Sequence, residues 1–304
     1  MYLREVSSTG LFENNGFGSD AFQQRLSRWN HERLAVAKPS AHWEADIDED
    51  HAMRRLEARF IEAGRAEVAD QAAAVPADGR GFVAWFESLK HEGPGQNDPL
   101  FPWLAEEASF ADMRWFLLQE VAGEAGFDDL VALTQVKMPT RAKLELARNY
   151  WDEMGHGGEP GMHGPMLDQL ARALDLKPTI EGTVAPSLAL GNTLVAFATT
   201  RRYAYHAIGA LGAVELTAPW RAALVAAGLK RLGVGKERRY FALHATLDVK
   251  HSEAWNTEVI QPLVEADPDC ARFIAEGALM RLACGARCFE AYRQKLWTPM
   301  AAVG

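Results

Sequence analysis

Hydrophobic residues recur along most of the chain three and four positions apart, which is the spacing of one face of an α-helix. No stretch alternates apolar and polar residues over enough positions to predict a β-strand. Glycine and proline cluster in KHEGPGQND, GHGGEPGMHGP and LGVGKE, which predicts breaks between helices at these points. Helices are predicted over residues 21–36, 49–74, 79–91, 110–136, 141–153, 165–174, 186–216, 219–232, 236–266 and 268–296. The sequence therefore predicts an all-α protein.

No repeat of fixed period and no low-complexity linker divides these helices, which favours one compact unit. Its length of 304 residues is within the range of a large single domain. Residues 1–95 are predicted to form an N-terminal extension with accessory helices that pack on a main helical domain over residues 96–298.

Composition narrows the class of protein. A hydrophobic fraction of 48% and a charged fraction of 24% are typical of globular domains and exclude wholesale disorder. The net charge of −9 repels phosphate backbones, so nucleic acid is not an expected partner. Three cysteines, an odd number, and an N-terminus that does not resemble a signal peptide predict a reducing compartment, the cytoplasm.

One long uncharged run, residues 182–200, approaches the length that spans a bilayer. It contains proline, asparagine, serine and four threonines, which favours a buried helix over a membrane span. No membrane association is therefore predicted.

The strongest candidate for chemistry is the segment RYFALHATLDVKHSEAW, in which His244, Asp248 and His251 stand at positions i, i+4 and i+7. On a helix these three side chains lie within an arc of roughly 60° and point toward one centre. Because the neighbouring residues are apolar, burial of these groups is costly unless they are paired or bound to metal. A solvated polar stripe or a set of core hydrogen bonds is the alternative.

Glu153 and His156 form a Glu-x-x-His pair, the arrangement by which helix bundles hold two metal ions. The alternative for this pair is an exposed helix end, where a histidine complements the helix dipole. Glu120 and Glu215 each follow about a turn of mostly apolar or small residues, which predicts carboxylates that point into the bundle. The combined set matches the ligands of a two-metal bundle site: Glu120, Glu153, His156, Glu215, His244, Asp248 and His251.

Other candidates are weaker. His163 follows His156 across three glycines and a proline and is interpreted as a loop histidine. Cys284 and Cys288 have no nearby histidine in the sequence and are interpreted as core thiols. No nucleotide-binding glycine motif and no Gly-x-Ser-x-Gly elbow is present, so nucleotide binding and serine hydrolysis are not indicated.

From DPLFPWL through YWDEMGHG and AVELTAP to LHATLDVKHSEAW, residues 98–293 resemble the haem-oxygenase-like diiron oxidases, also described as iron-containing redox enzymes. The resemblance implies a bundle of about seven core helices and two iron ions that react with O₂. It implies that Glu120, His156 and His251 bind one iron and that His244 and Asp248 bind the other. Glu153 and Glu215 would then bridge the ions or complete the second site, and no further catalytic residue or organic cofactor is implied.

The resemblance implies an O₂-dependent oxidase or oxygenase that acts on a small metabolite such as an amino acid or a fatty acid. The outcomes it implies are N-oxygenation, hydroxylation, desaturation or oxidative carbon–carbon cleavage. A homodimer is expected, and manganese at one site and an external electron donor are compatible with the resemblance. The alternatives are a cofactor-independent oxidase or thiamin-cleaving enzyme on the same fold, and a non-enzymatic metal- or haem-binding module.

A substrate pocket is predicted along a helix over residues 187–215. Residues that share the face of Glu215 are expected to line it, and Arg201, with Arg202 and Tyr203, is a candidate carboxylate anchor unless the arginines form a solvated face. The predicted lining residues are Phe197, Arg201, Ala204, Ile208 and Leu211.

Overall fold

The computed structural model describes residues 15–123 and 126–297, and these residues contain no β-strand. The all-α prediction is confirmed. The helices in chain order are α1 Asp20–Leu34, α2 Trp43–Ala73, α3 Gly79–Glu92, α4 Leu100–Glu106, α5 Phe110–Gly123, α6 Phe127–Thr134, α7 Thr140–Glu153, α8 His163–Ala173, α9 Ala185–Thr199, α10 Ala204–Arg231, α11 Arg239–Ala254, α12 Gln261–Ala266 and α13 Cys270–Trp297. A single π-helical segment, Trp255–Ile260, joins α11 to α12.

Two long predicted helices are wrong in their bounds. The predicted helix over 110–136 is divided, and Gly126 precedes α6 in the left-handed conformation with φ of 68°. The predicted helix over 186–216 is broken between α9 and α10 by a short turn over Arg201–Tyr203. Pro219, expected to begin a new helix, instead lies inside α10, where it leaves the carbonyl of Glu215 without its usual amide donor. The short helix α4 was not predicted.

Helix α10 lies at the centre of the molecule and packs against α11 and α13. The contact with α13 is close because Gly209 and Gly277 carry no side chain at the crossing. A Cβ atom on Gly209 would lie 1.8 Å from the carbonyl oxygen of Ile274, and one on Gly277 would lie 2.0 Å from that of His206. The backbones of the two helices therefore meet without intervening side chains.

The uncharged run that could have suggested a membrane span forms α9, most of whose side chains are buried. It packs against α1 through amides: Asn192 donates to Gln23 at 2.7 Å and accepts from Asn30 at 2.9 Å. Within residues 15–123 and 126–297, we find no helix whose length and apolar character would allow it to cross a bilayer.

A buried ionic network joins α2, α10 and α13. Glu276 accepts a hydrogen bond from Arg65 at 2.7 Å and lies 2.9 Å from Nε2 of His206. Burial alone would raise the pKa of Glu276, but the contacts with His206 and Arg65 outweigh it and lower that pKa to about 2. Burial also lowers the pKa of His206, despite the neighbouring carboxylate.

Acid is expected to destabilise the fold through this network. The unfolded chain takes up protons at both residues before the folded chain does, so stability is lost as the pH falls below about 6.5 for His206 and from about 4.5 toward 2 for Glu276. Because the glutamine takes up no proton, the difference in unfolding free energy between wild type and Glu276→Gln should narrow as the pH falls from about 4.5 toward 2. Urea unfolding of both proteins at pH 7, 5 and 3.5 measures this difference. A difference that does not change with pH would contradict the lowered pKa of Glu276.

Candidate metal centre

Two groups of potential metal ligands share one carboxylate in the interior. The ligand atoms of Glu153, His163 and His244 all lie within 4.8 Å of one another, and so do those of Glu153, Glu215 and His251. Asp248, one turn before His251 on α11, is buried to 3% exposure. The side chains come from α7, α8, α10 and α11 and form the cluster Glu153, His163, Glu215, His244, Asp248 and His251.

Helix α11 presents His244, Asp248 and His251 on one face, as their spacing predicts. Nδ1 of His244 lies 2.7 Å from the carbonyl oxygen of Tyr240. Because a carbonyl oxygen only accepts, this contact places the proton on Nδ1 and leaves the lone pair of Nε2 available to a metal.

Two neighbouring polar residues that the sequence analysis missed orient the cluster. Oδ2 of Asp152 lies 2.9 Å from Nε2 of His251, whose Nδ1 lies 3.4 Å from Oε2 of Glu215. Asn149 donates from Nδ2 to Oε1 of Glu215 at 2.6 Å. Asn149 precedes Glu153 by four residues, so helical spacing alone places the two side chains on the same face of α7.

The structure does not bring His156 to the cluster. Helix α7 ends at Glu153, and His156 follows in a tight turn with φ of 54°. Its side chain is 71% exposed and lies 3.2 Å from Asp152. A Glu-x-x-His pair requires the helix to continue through the histidine, and here it does not, so the structure does not bring Glu120, His156 and His251 together.

His163, interpreted from the sequence as a loop residue, occupies the place expected for His156. The chain turns back after α7, and Met154 pairs with Met162 in an isolated antiparallel bridge. Gly155 permits the turn, with φ of 58° and no room for a side chain, since a Cβ atom would lie 2.2 Å from the carbonyl carbon of Gly161. His163 then begins α8 with Nδ1 2.6 Å from Oε2 of Glu153.

Glu120 also lies outside both ligand groups. It is on α5, which packs on α8 and α9. Its carboxylate accepts a hydrogen bond from the hydroxyl of Tyr292 at 3.0 Å. Burial raises the pKa of Glu120, while Tyr292 and the charges of Arg221 and Arg281 oppose the shift. The side chain of Glu120 thus faces other helices, as the sequence predicts. Its charged neighbours are Arg221 and Arg281 and not the histidines of the cluster.

The structure places the predicted pocket-lining residues away from the cavity beside Glu215. A cavity of about 210 Å³ does adjoin Glu215, but none of the five predicted residues lines it. Phe197 instead packs on Tyr203 and His206 in the core. Arg201 and Arg202 are exposed, and Tyr203 donates to Glu62. Ala204, Ile208 and Leu211 also lie away from the cavity.

The cluster holds protons when no cation is bound. Burial and the charge of Glu215 raise the pKa of Glu153 to about 9. Burial would lower the pKa of His251, but Glu215 and Asp152 raise it to about 9. Burial is the largest cause that lowers the pKa of both His163 and His244 to about 4, so these two imidazoles are neutral at pH 7. Cation binding must therefore displace a proton from the Glu153 carboxyl group and one from the His251 imidazolium.

The donor set fits iron. Neutral imidazoles and carboxylates are the ligands that divalent iron takes in helix bundles. Within the described residues, Oδ1 of Asp248 and Oδ1 of Asn149 are buried without a hydrogen-bond partner. Burial and the charge of Glu215 raise the pKa of Asp248 well above its ordinary value, because a buried negative charge is unfavourable there. A bound cation would stabilise that charge.

Comparison with known families gives an independent result. The family model described as iron-containing redox enzyme, of the haem-oxygenase type, matches residues 114–286, more than half of the chain. The chain belongs to this family. No curated protein was found to match it. The matched range contains the whole cluster from Glu153 to His251, so the iron-containing redox family and the buried carboxylate–histidine groups concern the same part of the molecule.

The cavity gives this family member a space for a substrate next to the cluster. Glu153, His163, Glu215, His244 and Asp248 line one part of it. Much of the remaining lining is apolar, contributed by α5, α8, α9, α10, α11 and α13. An apolar cavity with a few polar groups at defined places is typical of small-molecule sites.

Proposed function

We propose that the chain is an O₂-dependent non-haem diiron oxidase or oxygenase that acts on a small metabolite. The observation that carries the proposal is the shared position of Glu153 in two three-residue ligand groups, each within 4.8 Å. Two ligand groups with a common carboxylate fit two neighbouring metal ions better than one.

In this proposal Glu153 serves both ions. His163 and His244 complete one site, and Glu215 and His251 complete the other with Asp248 beside them. Reduced iron supplies electrons to O₂ when bound there. The same oxygen and nitrogen donors also accept manganese, so metal analysis has to distinguish two irons from one iron and one manganese.

The surrounding residues position the ligands and control protons. The carbonyl of Tyr240 and the carboxylate of Asp152 fix the two imidazoles of α11 in orientation. Asn149 holds Oε1 of Glu215, which leaves Oε2 free to face His251. The apolar cavity walls keep water away from the substrate during oxidation.

A thiamin-cleaving enzyme on the same fold would need a nucleophilic cysteine, and the structure gives no support for one. All three cysteines are buried. Burial raises the pKa of the thiols of Cys284 and Cys288 above the ordinary value, and raises that of Cys270 to about 12. None is a thiolate near neutral pH, and the thiolate is the reactive form.

Oxygen uptake tests the proposal. Protein loaded anaerobically with ferrous iron and freed of unbound metal is mixed with O₂ and followed with an oxygen electrode. Wild type is expected to consume O₂ in proportion to protein. Glu153→Gln should fall to the background rate because both ligand groups lose the shared carboxylate. The exposed neighbour Glu159 supplies the control variant Glu159→Gln, which should behave as wild type.

Absence of uptake by iron-loaded wild type would rule the oxidase out. Equal uptake by wild type and Glu153→Gln would place the reaction at another site.

A further inference from the structure

The loop that joins α7 to α8 carries His163 to the cluster, although little in its own sequence fixes its path. We call this loop, residues 154–162, the His163 loop. Four of its nine residues are glycines, and residues 156–160 are exposed. Gly155, His156 and Gly157 adopt left-handed backbone conformations, with φ of 58°, 54° and 82°. Because ordering a glycine-rich segment costs much conformational entropy, the position of His163 depends on contacts that hold the loop.

Contacts within the His163 loop shape it but do not fix it against the metal centre. The amide of Gly157 donates to the carbonyl of Met154 at 3.0 Å, and that of Gly161 donates to the carbonyl of Gly158 at 2.8 Å. These bonds close short turns inside the loop. Gly157 also lies against the ring of Trp151, where a Cβ atom would come within 2.9 Å of Cη2. Trp151 belongs to α7, the helix that the loop leaves, so this contact does not join the loop to α11.

A hydrogen bond from Arg239 joins the His163 loop to α11. Nη2 of Arg239 donates to the carbonyl oxygen of Pro160. Pro160 lies in the turn Glu159–Gly161, three residues before His163. Arg239 is the first residue of α11, five residues before His244. The bond therefore connects the two segments from which two imidazoles of the cluster project.

These two imidazoles are in contact, but the contact alone is weak. The ring centres of His163 and His244 are 4.6 Å apart, and the ring planes lie at 72° to each other. One ring contact contributes less free energy than the ordering of a nine-residue glycine-rich loop costs. The separation of the two rings therefore depends on how the backbone before His163 is held against α11.

We propose that Arg239 is a positioning residue that holds the His163 loop against α11, so that His163 and His244 face the same metal ion. The side chain of Arg239 is exposed, and its positive charge opposes the binding of a cation. Any gain in iron affinity from this residue therefore comes from order and not from charge. The inference rests on the proposed function for the metal ion, whereas the hydrogen bond itself acts in the metal-free chain.

Hydrogen exchange of the metal-free, full-length chain tests the link without any metal. Arg239→Gln is expected to speed the exchange of amides in residues 157–162 about threefold to tenfold, because one hydrogen bond that opposes opening is lost. Amides of residues 167–171 in α8 serve as the reference and should exchange as in wild type. Unchanged exchange in the loop, or equal acceleration in residues 167–171, would overturn the proposal.

The matched control is Arg238→Gln, at the neighbouring arginine. Nη1 of Arg238 donates to the carbonyl oxygens of Val234 and Gly235, which precede it in its own turn and do not belong to the loop. This variant removes the same charge and should leave exchange in the His163 loop unchanged. Equal acceleration by both variants would attribute the effect to charge and overturn the role of the bond to Pro160.

Iron titration tests whether the link acts through His163. In Arg239→Gln, anaerobic titration with ferrous iron is expected to show one of two ions bound about threefold to tenfold more weakly and the other unchanged. In the His163→Ala background, Arg239→Gln should not weaken the remaining ion further, because the residue through which it acts is gone. A further weakening in the double variant would show a general structural effect and contradict the positioning role.

The two measurements separate this inference from the proposed function. Two irons in wild type, with loop exchange unchanged in Arg239→Gln, would refute the link alone. Faster loop exchange in Arg239→Gln, in a chain that takes up no iron, would support the link and refute the diiron oxidase.

Discussion

Replacing His163 by alanine is expected to remove one of two bound iron ions and to abolish O₂-dependent activity. His163 lies 2.6 Å from the shared carboxylate of Glu153 and belongs to the ligand group that also contains His244. Its loss leaves that group with one imidazole and the shared carboxylate, too few protein ligands to hold an ion firmly. The other group keeps Glu215 and His251. Iron analysis after anaerobic loading, with circular dichroism to verify the helical fold, measures the effect.

His156→Ala is the matched control for this prediction. His156 precedes His163 by seven residues, but its side chain is exposed and contacts Asp152 and Trp151 of α7. The variant should keep both irons and wild-type activity. If His156→Ala lost an iron while His163→Ala kept both, the ligand assignment drawn from this loop would be wrong.

Metal loading is expected to slow amide hydrogen exchange in α11 more than in any other buried helix. Its buried side chains are Phe241, Asp248, His251 and Ser252, so apolar burial contributes little to its stability. Without cations the helix brings protonated acids and imidazoles together. With ferrous iron at a hundred times its dissociation constant, local opening of α11 that requires release of the metal should become about a hundredfold rarer.

The measurement is mass-spectrometric hydrogen exchange of the anaerobic protein with and without ferrous iron. Amides from Leu243 to His251 report the effect. Amides from Ala207 to Leu211 on α10 serve as an internal reference, because their side chains are buried among apolar residues and bind no metal. Slow exchange over residues 243–251 that is the same in both states would show a site already rigid without metal.

The helical architecture could be predicted because apolar spacing along a helix is a local property. The His244, Asp248 and His251 arrangement was predictable for the same reason, since all three residues lie on one helix. Helix boundaries were less predictable. Pro219 normally ends a helix, but here the buried surroundings of α10 hold the chain helical through it.

The spacing of residues could not predict that His163, rather than His156, lies beside Glu153. This position depends on where α7 ends and on how tightly the following glycines turn, and both are set by contacts such as that of Gly155 with Gly161. Three glycines and a proline in the loop indicate a turn but do not give its path. Only the folded chain shows that the later histidine returns to Glu153.

The position of Glu120 and the pocket lining depend on tertiary packing. An acid within apolar sequence is expected to be buried, but the sequence does not say which helix faces it. In the fold, α13 brings Tyr292 to Glu120, and α10 and α13 bring Arg221 and Arg281. Arg221 follows Pro219 and a tryptophan, which in sequence alone is typical of a solvated helix start, whereas the structure buries its side chain.

Iron stoichiometry tests the central claim most directly. The full-length chain is loaded anaerobically with ferrous iron, freed of unbound metal and analysed by mass spectrometry of the metal content, in parallel with Glu153→Ala. The account predicts two metal ions per wild-type chain and a loss of both in Glu153→Ala, since Glu153 belongs to both ligand groups. One ion or none in wild type, or two ions retained by Glu153→Ala, would contradict a metal pair built on this carboxylate.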